Sequence, residues 1–236
     1  MKKVKNILLI ILISSVIYIY NNYKDDIYNY ILGSVFINEN NTLDEVKDYD
    51  GSSDFIYINN NVPEFAENDM YRDFEEYGEL DYLGRCTYAY ANVSKKLMPT
   101  KKRESIGMVK PTGWQTAKYD FIDGKFLYNR CHLIGYQLTG ENANTKNLIT
   151  CTRQMNTGIM LEYENMIASY IKKTNNHVLY KVTPIFENGN MLAKGVHMMG
   201  YSVEDKGKGI KFNIFIYNVQ DKVHLDYKTG KSFISN

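Results

Sequence analysis

Proline is scarce in this 236-residue chain, at 4 residues, and tryptophan occurs once, whereas tyrosine occurs 21 times. So little proline among so many aromatic side chains argues against a disordered chain and favours a strand-rich or mixed fold. Cysteine is also rare. Cys86, Cys131 and Cys151 are too few for a disulfide framework and include no C-x-x-C pair that could seed a zinc site. Three buried thiols are the simplest reading, with a Cys86–Cys131 bridge as the alternative if the chain is exported. Internal repeats are absent, and the length suits one ordinary domain plus a tail.

A long apolar span is missing too. The run from Ile7 to Tyr20 falls short of the roughly 20 residues of a comfortable membrane crossing. Lys2, Lys3 and Lys5 precede it, and neither a small-x-small cleavage site nor a cysteine follows at once. This layout predicts a signal anchor, or a cleaved signal peptide, over 1–23, with the N-terminus in the cytoplasm and the body outside the membrane. Residues 24–53, rich in Asn, Asp and Tyr without a sustained period, read as a tether, and a single domain is expected over 54–230.

The net charge is only +1, but it is unevenly spread. Residues 41–82 carry 13 acidic residues against Lys47 and Arg72, a balance of −11, whereas residues 100–181 carry 12 Lys+Arg against 6 acidic residues, a balance of +6. A basic body suits a polyanionic partner, although two solvated faces would give the same count.

Patterning defines most of the elements. FIYINN and CTYAYANV alternate as strands. The stretch VPEFAENDMYRDFEEYGEL reads as loop and short helix, with Asn68 or Asp69 as cap. Asp123-Gly124 between two apolar runs predicts a β-hairpin ending in LYNRCHLIGYQ. GENANTKN is a polar loop whose length needs a reason. GIMLEYENMIASYIKKT has apolar residues at helical spacing and predicts an amphipathic helix. HVLYKVTPIFE, MLAKGVHMMGYSVE and IKFNIFIYNVQ then predict three strands. The expected class is α+β, an antiparallel sheet around one well-marked helix.

Chemistry concentrates between Arg130 and Glu164. If the helix starts by Asn156, then Asn156, Met160 and Glu164 stand at i, i+4 and i+8 and share one stripe. An amide and a carboxylate on that stripe are hard oxygen donors of the kind Mg²⁺ accepts while keeping several waters. His132 at a strand end can act as a base, and Arg130 or Arg153 can hold phosphate. Plainer accounts stand beside these: a satisfied structural His132, Asn156 as a helix cap, and Glu164 on the solvated surface. Lys101, Lys102, Arg103, Lys110 and Lys118 could track a nucleic-acid backbone. Trp114 suits core packing better than base stacking, and His177, His197 and His224 belong to no motif.

YNRCHLIGYQLTGENANTKNLI, followed by TRQMNTG and EYEN, resembles the DNA/RNA non-specific endonuclease family, a ββα-metal (His-Me finger) group. The likeness extends over about residues 54–228 and rests on the combination of an [DN]-R-x-H box, a K-N-L-I segment, an Asn opening a helix and a Glu eight residues later. The resemblance implies His132 as general base, Asn156 as the direct ligand of one hydrated Mg²⁺, with Mn²⁺ as its substitute, and Glu164 as the carboxylate orienting the metal's waters. It makes Arg130 the box arginine with a phosphate or transition-state contact. Asn147 sits in the loop segment that supports the site, and with Arg153 and Lys110 it is one of the remaining candidate substrate contacts. Asn129, Cys131 and Cys151 stand where many members have Asp, Gly and Gln. The implied activity is metal-dependent, sequence-indifferent hydrolysis of DNA, and alternatively RNA, to 5′-phosphate products outside the membrane. An inactive nucleic-acid-binding module of the same fold and a delivered nuclease toxin are the alternatives. Activity is expected to fall as pH drops through about 6.5, the ordinary histidine range.

Overall fold

Three consecutive segments of dense apolar residues, β6 (Val178–Ile185), β7 (Gly195–Ser202) and β8 (Lys211–Tyr217), make the centre of the sheet. β1 (Phe55–Tyr57), β2 (Glu75–Tyr77) and β3 (Ala89–Val93) complete it. The order is β1-β8-β7-β6-β3-β2, with every neighbouring pair antiparallel. The computed structural model describes Ser14 and residues 46–235. Among these, no helix is long and apolar enough to cross a membrane. The anchor expected over 1–23 lies, apart from Ser14, outside the described residues, as does most of the expected tether.

β8 explains the double burial of the sheet. Phe212, Ile214 and Ile216 join the main core, whereas Phe215 and Tyr217 point to the other face and pack with Ile58 and Val219. Alternate residues of a strand face opposite sides, so a run apolar at both phases must be covered twice. Of the helices α1 (Tyr136–Thr139), α2 (Arg153–Thr157) and α3 (Ile159–Thr174), α3 covers the first face with Met160, Ile167, Ala168 and Ile171. On the second face Val46 and Tyr49 pack beside Ile56, and Lys194 Nζ holds Asp48 at 2.9 Å and the Val46 carbonyl at 3.0 Å. Packing therefore begins before Asp54, inside the segment expected to be tether, and a ribbon of β9 (Val223–Leu225) with β10 (Ser232–Ile234) carries it past residue 230.

The two strands that matter most for chemistry lie outside this sheet. β4 (Tyr128–His132) pairs with β5 (Leu148–Thr152) as a separate antiparallel ribbon, from Tyr128 opposite Thr152 to His132 opposite Leu148. The expected Asp123-Gly124 hairpin is thereby corrected. The turn forms, with Gly124 and Lys125 at positive φ, but its ladder is a single bridge between Lys118 and Phe126. β5 is a fully buried LITCT run and a better partner for β4 than the exposed residues before the turn. The expected short helix near Asn68 is a 3-10 turn, Glu67–Tyr71, entered at Ala66 without a side-chain cap, and β2 follows it.

The cysteine reading is corrected as well. Cys131 and Cys151 form a disulfide across the ribbon, with Cα atoms 5.9 Å apart. Cys86 is the free, buried thiol, and its Sγ donates to the carbonyls of Leu148 at 3.2 Å and Thr145 at 3.3 Å.

Candidate active site

The ribbon ends at His132, and the chain beyond it is pinned at three successive residues. Leu133 N–H donates to the Asn147 carbonyl (2.9 Å), Ile134 N–H to Asn147 Oδ1 (2.9 Å) and Gly135 N–H to Glu164 Oε1 (2.7 Å). Asn147 Nδ2 returns a bond to the Ile134 carbonyl at 3.0 Å. Fully buried, with both ends of its amide committed, Asn147 stands as a support behind the strand end and not on the cleft surface. A Cβ at Gly135 would lie 2.2 Å from Glu164 Oε2, so any larger residue there displaces the Glu164 carboxyl group. No sequence motif marks it.

The polar loop after β4 now has its reason. The Asn142 carbonyl lies 2.7 Å from His132 Nε2 and can only accept, so Nε2 carries the proton and Nδ1 keeps its lone pair. Nδ1 meets Arg103 Nη2 at 3.3 Å. His132 is 7% exposed. Burial pushes its pKa down to about 4, the Asn142 carbonyl pulls it back, and the Arg103 charge lowers it further. Burial therefore moves the expected acid limb below 6.5 and favours the neutral imidazole at neutral pH.

Glu164 is neither solvated nor in line with Asn156. The expected helical stripe fails because the helix breaks: α2 (Arg153–Thr157) ends at Gly158, whose φ of −92° and ψ of −118° are not helical, and α3 starts anew. A Cβ at Gly158 would sit 2.6 Å from the Gln154 carbonyl. Nor is Asn156 a cap, since Thr152 caps α2 by accepting from Met155 N–H at 3.1 Å. Glu164 reaches the site from the buried face of α3. Desolvation raises its pKa to about 8, against the lowering effects of the Gly135 N–H and the Arg103 charge.

Arg103, Lys110, Arg130, Arg153 and Asn156 line one cleft of about 610 Å³ together with Trp114 and Phe126. Arg103 is the link between this cleft and the two buried groups behind it, because its guanidinium touches His132 and its charge acts on Glu164. The sequence singled it out only as one cation of a basic run; a loop closing from 29 residues upstream has no periodic signature. Arg130 is more committed than expected. It donates to the Val109 carbonyl and, at 2.8 Å, to the Gly107 carbonyl, while its guanidinium stacks 3.8 Å over the Trp114 ring. It thus holds the Arg103 loop against the ribbon. Arg153 reaches the cleft from the start of α2 while paired with Asp123 at 2.7 Å, and Lys110 is exposed. Trp114 packs on the Ile122, Leu127 and Tyr128 cluster, in keeping with the core role preferred for it.

The donor set suits a hard, mostly hydrated cation. Among the described residues no cluster of three His, Cys, Asp or Glu could cage a metal. The carboxamide of Asn156, which lines the cleft without a hydrogen bond to any described residue, and the carboxylate of Glu164 are oxygen donors of the type that such an ion takes sparingly.

The fold has solved relatives. NucA from Streptococcus agalactiae with magnesium bound superposes with a TM-score of 0.67 at 22% identity, covering 79% of this chain and 93% of that one. Sda1 nuclease with bound zinc matches with a TM-score of 0.58 at 24% identity, covering 69% and 81%. A protein described as an extracellular endonuclease gives 0.55 at 22%, covering 73% and 89%. These likenesses show the α+β fold. The DNA/RNA non-specific endonuclease family model matches residues 67–204, more than half of the chain and the whole of the segment from β2 to β7 that carries the cleft. The chain is an endonuclease and belongs to the DNA/RNA non-specific endonuclease family.

Proposed function

We propose that this endonuclease hydrolyses phosphodiester bonds of DNA, and alternatively RNA, without sequence preference, with Mg²⁺ as cofactor and 5′-phosphate products. The observation that carries the proposal is the hydrogen bond from His132 Nε2 to the Asn142 carbonyl, which leaves Nδ1 unprotonated beside a cationic cleft. In the reaction Nδ1 takes a proton from a water molecule, and that water attacks phosphorus. The bond to the 3′ oxygen breaks, the phosphate stays on the 5′ side, and the leaving oxygen is protonated from solvent.

Arg103 meets the Nδ1 lone pair when no substrate is present, and an arriving phosphate draws its guanidinium away to a non-bridging oxygen. Lys110 and Arg153 face the flanking phosphates, contacts that read charge and not sequence. Arg130 positions the Arg103 loop and adds its charge to the cleft. Asn156 would hold the Mg²⁺ directly and Glu164 would orient its waters; when bound, the ion supplies charge neutralisation at phosphorus and at the leaving oxygen. The magnesium bound in the NucA relative supports this choice, and Mn²⁺ is the expected substitute. An N-terminal anchor over 1–23, or its cleavage, would put the body outside the membrane, consistent with relatives described as extracellular nucleases.

The test is plasmid digestion by the full chain with Mg²⁺ or with EDTA, beside His132→Ala and Asn156→Ala. Mg²⁺-dependent cutting at scattered sites, lost in both variants, is expected. Cutting that persists in EDTA or in His132→Ala would overturn the mechanism. Salt-sensitive DNA binding without any cutting would make the chain a binding module.

A further inference from the structure

The Cys131–Cys151 bond lies inside the ribbon that carries the proposed chemistry, and it touches both halves of the site through the chain. Cys131 directly precedes His132, and Cys151 directly precedes Thr152, the residue that caps α2 and thereby sets the helix bearing Arg153 and Asn156. The bond is diagonal in register, since Cys131 stands opposite Ile149 and Cys151 opposite Asn129. It therefore resists sliding of one strand along the other, the motion that would separate His132 from Asn156.

The two strands are otherwise anchored unequally. The end of β5 is tied to the chain just after β8 by Thr152 N–H to Asn218 Oδ1 (2.9 Å) and Thr152 Oγ1 to the Val219 carbonyl (2.6 Å). β4 belongs to no other sheet; besides β5 it is held by the pins that follow His132 and by side chains, Arg130 on the Gly107 and Val109 carbonyls and Tyr128 in the Ile122–Leu127 cluster. The third cysteine does not compete for the bond. Cys86 donates to two carbonyls, and burial pushes its thiol up to about 11, so it stays protonated and unreactive at neutral pH.

We propose that Cys131 and Cys151 are positioning residues: their bond fixes His132 in register with the α2 helix that bears Asn156, so that metal use and cutting require the oxidised pair. The inference rests on the nuclease reading above. Forming the bond takes two electrons and two protons from the two thiols and passes them to an external disulfide, a protein or small-molecule oxidant that leaves as two thiols. Both sulfur-bearing residues are fully buried, so a dithiol reductant reaches them only when the ribbon opens. A chain made in a reducing compartment would stay poorly active until it reached an oxidising one.

The experiment compares the oxidised full chain with the chain reduced by unfolding and refolding in dithiothreitol, and with Cys131→Ala/Cys151→Ala. Two quantities are read against Mg²⁺ concentration: the plasmid cutting rate and the melting temperature. Reduced and variant chains are expected to melt cooperatively above the assay temperature. They should need at least tenfold more Mg²⁺, both for half-maximal cutting and for the Mg²⁺-induced rise in melting temperature, whereas Cys86→Ala should behave as wild type. If the alanine pair does not melt cooperatively, Cys151→Val, which fills the buried space without the bond, gives the same reading. Wild-type Mg²⁺ dependence in the reduced chain would overturn the proposal, as would loss of cooperative melting in the reduced chain and in both variants, which would make the bond a folding staple. An oxidised chain that never cuts, yet shows a Mg²⁺-induced melting shift that depends on the bond, would sink the nuclease reading alone.

Discussion

In the six-stranded sheet, β6, β7 and β8 each have two neighbours and contribute to a broad hydrophobic core, with β8 packed on both faces, so stability is spread over many side chains. In the β4–β5 ribbon, five residue pairs carry the proposed base, the disulfide and the approach to the helix proposed to hold the metal, and single polar atoms do the holding. Redundant apolar burial gives stability that tolerates local damage. Directional polar contacts give placement, which fails as soon as one partner is removed. The contrast predicts that damage to the two regions should separate stability from activity.

The largest effect is expected at the ribbon's end. His132→Ala should lower the cutting rate by about 10²–10⁴-fold, the usual range for a general base, with little change in melting temperature; a comparable loss of stability would erase the contrast. Its counterpart in the sheet is Phe215→Ala, which should cost about 3–5 kcal/mol of stability by emptying a fully buried aromatic site. The specific activity of the molecules that remain folded should not change. Denaturant titration followed by cutting assays on the same samples would check both halves of the statement.

The pH dependence of stability sharpens the comparison further. Glu164 has its folded pKa raised to about 8 from an ordinary 4.5, so its burial as a neutral acid stabilises the fold fully below about 4.5 and that contribution is lost as pH rises towards 8. The size is on the order of a few kcal/mol. His132, with its pKa lowered to about 4, works the other way: its contribution is complete above the unfolded value of about 6.5 and is lost as pH falls towards 4. Melting temperatures in EDTA should therefore decline between pH 6.5 and 8, and Glu164→Gln should flatten that decline. An unchanged decline in the Gln variant would show that Glu164 is not buried as described.

Smaller effects are expected from the supports. Asn147→Ala leaves Ile134 N–H and its carbonyl unpaired in a buried place, for about 1–3 kcal/mol, and should slow cutting more than its stability loss explains, because it is the second pin behind His132. The smallest effect is an expected absence. With His132 neutral from pH 5 to 8, the cutting rate at saturating Mg²⁺ should show no acid limb near 6.5, and such a limb would mean that the base sits in a wetter place than the one described.

Much of this could be read from residues in order. β1, β3, β6, β7, β8 and α3 all fall inside segments marked by alternation or by helical spacing, because those periods are properties of the local backbone. The motif brought His132, Asn156 and Glu164 into one reading, but the route from spacing to geometry failed at Gly158. An i, i+8 pattern assumes a continuous helix, and the break turns Glu164 to the buried side, against Gly135. The Asp123-Gly124 turn was legible and its ladder was not, since the choice of β5 as partner for β4 depends on what each strand can bury.

The sequence alone determined the class of the fold, the strands of the sheet other than β2, the helix α3 and the family, since these follow from local periods and from a run of residue types in fixed order. Only the tertiary structure decided that Cys151, not Cys86, meets Cys131, that Arg103 covers His132, that both ends of the Asn147 amide are spent on Ile134 and that the histidine keeps its lone pair on Nδ1. Each of those depends on atoms brought together by loop closure and strand pairing across 10 or more residues, where the free energy lies in the contact made and no local pattern records it.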